Sequence, residues 1–276
     1  MSIEKPKASV VPVAFLFTFA FVGVMGSPAP LRAQQAECPG GELAGRTYVG
    51  TFRRIEFGCR QLTEFDGRRP EGEWERVYPY STEERSGLTF VVVPDHEVPE
   101  WLVLYNEEFM FVYHGEGEPP AFRGATGNGR SLEAMYSFPH VFSATSSLTE
   151  GEVRYLPANL GRLDSRAPWV EAAPGHGLGE EVRFFRSFDR FWISIGFVSY
   201  TRPALYTMNS RPRRVRVVDR ASGEEYRFEL EDTPNPQPIS VPGGSSGELR
   251  EFRLIIDEVY EGTSFEDTCI NFILYH

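Results

Sequence analysis

The sequence predicts an all-β protein, and three features carry that expectation. Glycine (26) and proline (21) are scattered through the 276 residues, so turns punctuate the chain throughout. Short runs rich in β-branched and aromatic residues recur between those turns, several of them alternating apolar with polar. Beyond the leader, nothing sustains the 3.6-residue apolar period of a long helix. Apolar residues at 41 % and aromatics at 14 % supply side chain enough for sizeable cores, and the length suits about two domains.

Lys5 and Lys7 precede an apolar run from Val10 to Met25, with small residues and prolines after it. That is the order of a secretory signal, so residues 1–33 read as a signal peptide cleaved after Ala33, with Gly26 the alternative. Nothing later approaches the ~20 apolar residues of a membrane-spanning helix. The expectation is an exported protein, secreted or held in the periplasm or cell envelope, with no transmembrane segment after signal cleavage. Export permits disulfides. Cys38 and Cys59 can pair and tie the mature N-terminus to the first domain, leaving Cys269 as a small buried hydrophobe. A net charge of −11 repels phosphate and excludes nucleic acid as a natural partner. No Cys-x-x-Cys or His-x-x-x-His spacing supports a zinc site.

Residues 40–115 read as a small β-barrel or β-sandwich domain. Strands are expected at Arg46–Phe57, Gly87–Pro94, Trp101–Tyr105 and Glu108–His114, with turns at Asp66-Gly67 and Gly115-Glu116-Gly117. Phe109-Met-Phe-Val-Tyr113 is a continuous apolar run suited to a buried strand. Residues 116–147 read as a linker, with a short helix at Ser131–Tyr136. His114 and His140 read as solvent-facing or hydrogen-bonded rather than catalytic, and no motif in this half names a function.

From residue 148 to 276, strands at Glu181–Phe185, Phe191–Tyr200, Arg213–Asp219, Tyr226–Glu231, Gln237–Val241, Glu248–Val259 and Cys269–Tyr275 recur at sandwich spacing. Ala221-Ser-Gly223 marks a hairpin. Three loop stretches punctuate them. One is Trp169-Val-Glu171 followed by Gly175-His176-Gly177-Leu-Gly179, where three closely spaced glycines require tight turning or close backbone approach. The others are Asn209-Ser-Arg211-Pro212 and Asp267-Thr268-Cys269-Ile270. These loops are expected to share one end of the sandwich.

The ordered set Pro157-Ala-Asn159-Leu160, Leu163-Asp164, Trp169-Val-Glu171, Gly175-x-Gly177-x-Gly179-Glu180, Asn209-Ser-Arg211-Pro212, Leu230-Glu-Asp232-Thr233, Gln237, Val259-Tyr-x-Gly262 and Asp267-Thr-Cys-Ile270 carries a resemblance. It resembles the glycan-binding, or translocation, domain of bacterial NAD glycohydrolase toxins, a discoidin-like F5/8 type C module, over residues ~148–276. The resemblance implies a galactose-binding-like sandwich and a glycan or glycoconjugate ligand. Members often carry Ser-Glu after the last Cys-Ile, where this chain has Asn271-Phe272. No stretch resembles the toxins' NAD-cleaving domain.

Six residues form the candidate ligand-binding set: Trp169, Glu171, His176, Asn209, Arg211 and Asp267. An aromatic face and a few fixed polar groups are what sugar recognition needs. Each also has a structural reading. Trp169 can plug the sandwich end, Glu171 can bind backbone amides, and Asn209 can make a turn. Arg211 can pair with Asp267 or Glu171, because a guanidinium fork matches a carboxylate. No cofactor is expected; Asp164, Asp267 and Thr268 offer oxygens for a structural calcium as the alternative. Gly243-Gly-Ser245-Ser-Gly247 lacks the strand and helix of a nucleophile elbow, and Gly175–Gly179 lacks the βαβ unit of a dinucleotide site. The expectation is a non-enzymatic carbohydrate-binding protein. A carbohydrate-active hydrolase with a C-terminal targeting module, or an envelope protein–protein interaction module, is the alternative.

Overall fold

In the computed structural model, residues 38–125, 142–164, 167–186, 190–242 and 249–275 are described. The expected signal peptide, the helix expected at Ser131–Tyr136, His140 and the Gly243–Gly247 string lie outside them. The protein is all-β: among the described residues one α-helical turn, α1 (Leu205–Met208), interrupts twenty strands.

The N-terminal half is one antiparallel sheet curled into a barrel. Its strands are β1 (Thr47–Val49), β2 (Arg53–Phe57), β3 (Gln61–Asp66), β4 (Glu75–Pro79), β5 (Ser81–Arg85), β6 (Leu88–Val92), β7 (Glu100–Tyr105), β8 (Phe109–Tyr113) and β9 (Ala121–Gly124). They pair in the order β4-β3-β2-β1-β9-β8-β7-β6-β5. Because only Tyr80 separates β4 from β5, the two end strands of the sheet are consecutive in the chain, which brings the ends of the sheet together. Alternation turns Tyr48, Ile55, Phe57, Leu62, Val91, Trp101, Val103, Met110, Val112 and Phe122 into one interior cluster. Cys38 and Cys59 are disulfide-bonded, and the Gly40 amide donates to the Cys59 carbonyl (2.9 Å), so the bond closes the barrel's N-terminal approach.

The C-terminal half is a sandwich of two sheets. One comprises β10 (Phe142–Ala144), β14 (Glu181–Arg186), β19 (Arg250–Tyr260), β16 (Arg211–Asp219) and β17 (Glu225–Glu229), in that order. The other runs β13 (Trp169–Val170), β20 (Cys269–Tyr275), β15 (Arg190–Ile195) and β18 (Gln237–Ser240). A short hairpin of β11 (Thr149–Glu150) and β12 (Val153–Arg154) precedes β13. Trp169, Phe184, Phe191, Ile193, Val215, Phe252, Leu254, Ile270 and Ile273 fill the space between the sheets. The stretch read as a linker supplies a strand at each end: β9 completes the barrel, and β10 pairs with β14 of the sandwich.

The two halves are packed on one another. Leu88, Phe90, Leu102, Leu104, Phe109, Phe111 and Tyr113 project from the barrel wall into a cluster with Trp192, Val198, Tyr206, Phe272 and Leu274 of the sandwich. That is why Phe109–Tyr113 is apolar at every position: its inner face fills the barrel and its outer face fills this interface. The Asn235 side chain accepts from the Tyr105 amide (3.0 Å), and Asn106 donates to the Pro236 carbonyl (3.1 Å).

Candidate functional site

The three loops meet at one end of the sandwich. Ser210 and Thr268 form a parallel bridge, and the Ser210 amide donates to the Asp267 carbonyl at 3.0 Å. The Thr268 amide donates to Glu171 Oε1 at 3.0 Å, while Ala173 donates to Glu171 Oε2 at 2.6 Å. The Thr268 hydroxyl reaches the His176 carbonyl at 2.8 Å, and His176 Nδ1 lies 2.9 Å from the Ser210 hydroxyl. Segments nearly a hundred positions apart are therefore tied by one hydrogen-bonded knot. Gly177 is the point at which the first loop closes on it: its φ is +64°, and a Cβ there would stand 2.5 Å from the Glu171 carboxyl carbon.

This knot consumes much of the polar chemistry expected to face a ligand. Trp169 is fully buried in the sandwich core and donates its indole N–H to the Ser146 carbonyl at 3.0 Å. Glu171 is fully buried between backbone amides. Its carboxyl is raised above the usual range by burial, which outweighs those amides, with Asp267 and Glu180 pushing the same way. Arg211 is 5 % exposed and its guanidinium bonds neither of the carboxylates expected as its partner. Its Nε and Nη2 grip Asp232 at 2.7 and 2.8 Å, and its Nη1 bonds the Tyr206 and Asn209 carbonyls at 3.1 and 2.9 Å. The physical reason is that Asp232 presents both oxygens to the fork while the end of α1 presents carbonyls to the remaining nitrogen. Asn209 continues that closure by donating its side-chain amide to the Leu205 carbonyl at 2.9 Å.

Beside the knot lies a cleft of about 160 Å³ lined by Leu148, Glu150, Tyr155, Val170, Phe197, Arg202, Leu205, Asn209, Phe265 and Asp267. Tyr155 and Phe197 meet edge to face at 5.8 Å, and the Arg202 guanidinium lies 6.0 Å from the Phe197 ring centre. Phe265 stays 43 % exposed. The Asp267 carboxyl is raised by burial first and then by the charge of Glu150. Two carboxylates, a guanidinium and aromatic faces are gathered here, a combination that can accept from hydroxyls, donate to oxygens and stack on C–H surfaces. Of the six residues expected from sequence, Asp267 and Asn209 line this cleft; Trp169, Glu171, His176 and Arg211 build the frame beside it. Tyr155, Phe197, Arg202, Phe265 and Glu150 were not anticipated. Among the described residues no group of three or more His, Cys, Asp and Glu is arranged to hold a metal, and Asp164 and Asp267 join no such group.

Asn271 and Phe272 have separate uses. The pairing of β15 with β20 slips between Ser194 and Ile195, leaving Asn271 in a bulge where its side-chain amide donates to the Ser194 hydroxyl at 3.1 Å. Phe272 is fully buried against the barrel, with its ring 5.7 Å from that of Phe111.

The family model for the NAD glycohydrolase translocation F5/8 type C domain matches residues 135–276, just over half of the chain. The match begins ahead of β10, consistent with that strand's place in the sandwich. No curated protein matches the chain.

Proposed function

The chain belongs to the family of NAD glycohydrolase translocation F5/8 type C domains, and from that membership we propose an exported, non-enzymatic protein that binds carbohydrate through the loop end of its sandwich. The observation that carries this reading is the cleft beside the knot, where Tyr155, Phe197 and Phe265 stand with Arg202, Glu150, Asn209 and Asp267. A sugar presents C–H faces to aromatics and vicinal hydroxyls to carboxylates and guanidinium, and both kinds of partner occur in this one cleft. The knot supports the reading as well, because a rigid frame loses less freedom when ligand binds. A translocation-associated module fits an exported or cell-surface protein, with a glycoconjugate as partner. The one free thiol among the described residues is not available to a ligand. Cys269 is fully buried under the cleft, and burial pushes its pKa well up, which leaves it inert.

Glycan-array binding of the mature protein tests the reading, with Phe265→Ala and Arg202→Ala as companions. Both side chains reach the surface, so their loss should weaken glycan binding several-fold and leave the melting temperature unchanged. Absence of any glycan signal at high protein concentration would overturn it. Release of reducing ends from mixed oligosaccharides, abolished by Asp267→Asn, would replace it with hydrolysis.

A further inference from the structure

The barrel carries a charged cluster for which the sandwich reading has no use. Four of its connections converge on one mouth, and each brings a polar group inward. Arg53 opens β2 after the first hairpin, and Glu64 lies near the end of β3 with Arg69 just beyond it. His96 stands between β6 and β7, and His114 follows β8. Glu64 is fully buried, with one oxygen held by Arg53 Nη2 and the other by Arg69 Nη2 at 2.7 Å. His96 Nε2 is 3.7 Å from Glu64 Oε2, and its ring packs edge to face on Trp101 at 5.0 Å. Trp101 in turn meets the His114 ring at 5.8 Å. Asp66 is matched by Arg68 at the rim, at 2.7 Å.

Around the buried Glu64 two guanidiniums face one carboxylate, a local surplus of positive charge in a chain whose net charge is −11, while Glu71, Glu73, Asp95 and Glu97 of the same connections are exposed. Three nitrogens there are buried without a hydrogen-bond partner: Arg53 Nε, Arg69 Nη1 and His114 Nδ1. Each belongs to a different barrel connection, and two of them are obligate donors. The Arg53 guanidinium also lies over the Phe122 ring, with its carbon 5.9 Å from the centroid. A buried donor left unmatched keeps its desolvation cost, the more so when it is charged, so an arrangement that keeps two of them is suited to an acceptor from outside. A cation is disfavoured, because Glu64 already has a guanidinium on each oxygen. Small antiparallel barrels commonly hold one small ligand at such a mouth.

We propose that this mouth of the barrel is a second binding site, one that takes a small oxyanion, carboxylate or phosphate, between Arg53, Arg69 and His114. The site is opposite in charge to the carboxylate-bearing cleft of the sandwich, so the two take different groups. His114 gives it a spectroscopic reporter. Its pKa is lowered to about 4, by burial first and then by the charges of Arg53 and His96. An anion seated beside the ring would favour the imidazolium and move that value upward.

The experiment is a histidine titration by NMR on full mature protein, with sodium phosphate, sodium acetate or sodium chloride at matched ionic strength. Phosphate or acetate is expected to produce a saturable shift of the Arg53 Nε–H resonance and to raise the His114 midpoint, with chloride inert. Whichever anion saturates at lower concentration identifies the oxyanion class. Arg53→Lys, which keeps charge toward Glu64 but removes the Nε donor, assigns the resonance. His114→Gln leaves the Glu64 pairing intact and is expected to weaken the anion's effect several-fold at unchanged melting temperature. Should Arg53→Lys fail to fold, the histidine titration and His114→Gln decide alone. No saturable response to either anion, a response equal in chloride, or full response in His114→Gln would each overturn the proposal and leave a mouth that holds water only.

Discussion

Replacing Arg211 with methionine separates a structural guanidinium from a ligand-binding one. The substitution keeps most of the side chain's length and apolar stem while removing the fork. It breaks two charge-assisted bonds to Asp232 and leaves the Tyr206 and Asn209 carbonyls without their Nη1 donor. Bonds to a charged group contribute about 1.5–3 kcal/mol, and orphaning one member of a buried pair costs about 3–5 kcal/mol. Here the Asp232 side chain is 40 % exposed while that of Arg211 is 6 %, so the abandoned carboxylate can be rehydrated. The lower end is therefore expected, about 3 kcal/mol. For a chain of this size that corresponds to a fall in melting temperature of roughly 6–12 °C. Asp232→Asn retains one acceptor for the fork and should cost less, about 1–2 kcal/mol. Differential scanning calorimetry on both variants, with glycan binding measured on the same samples, is the assay. A melting temperature for Arg211→Met within about 2 °C of the parent, together with lost glycan binding, would refute the reasoning and place Arg211 in the ligand site.

Gly177→Ala should destabilise the loop knot by more than the roughly 1 kcal/mol of a left-handed alanine, because its Cβ would meet the Glu171 carboxyl; thermal melts check it. Acidification should act with opposite signs on the two halves, read by hydrogen exchange at each. Glu171 and Asp267, both raised, contribute stability that is present below their ordinary pKa values and lost as pH rises through the raised ones. His114, lowered to about 4 from 6.5, contributes stability present above 6.5 and lost as pH falls toward 4, so the barrel mouth should loosen in that window. Reduction of Cys38–Cys59, 21 positions apart, should cost the barrel about 3 kcal/mol by chain entropy, seen as a lower urea midpoint under reductant. Phe272→Glu should part the two halves, because a carboxylate would enter a fully buried position against Phe111; limited proteolysis yielding two stable fragments is the expected readout, and an uncut, fully stable variant would contradict it.

The all-β architecture was legible because Gly and Pro fix turns locally and alternation fixes strand faces locally. The meeting of the three loops was legible because the strands they flank run in and out of one end of a sandwich, although the Arg211 pairing expected to join them is made with Asp232 instead. Arg211's partner was not. Asp232 is one of 39 acidic residues, and no sequence distance marks which of them a guanidinium will meet across a sandwich end. Its place in the run Leu230-Glu-Asp232-Thr233 was the available signal. The buried Glu64 was hidden by its own strand. In Gln61-Leu-Thr-Glu-Phe-Asp66, Leu62 shares a face with Glu64 and Asp66 while Phe65 takes the other, so either face can be read as the inner one. The curling of the barrel was hidden as well, because it depends on β4 and β5, consecutive in the chain, being the two end strands of the sheet.

The departure from the family pattern at Asn271-Phe272 explains how the two halves can be one body without blocking the cleft. β20 is buried at every position, which a sandwich strand with one face in water would not be. Its inward residues Ile270, Ile273 and Tyr275 fill the sandwich, and its outward residues Phe272 and Leu274 face the barrel. The bulge at Asn271 is what lets both sets keep their faces, since an extra residue shifts the alternation by one. A charged residue in place of Phe272 would face water in an isolated module; here it would face Phe111. Docking therefore uses the broad face of the β13-β20-β15-β18 sheet, and every residue lining the cleft comes from the sandwich. The barrel adds contacts at the margin, where Glu116 accepts from the Thr201 hydroxyl at 2.6 Å, next to the cleft's Arg202. A module held by its face keeps its loop end open, and that is the geometry a binding role needs.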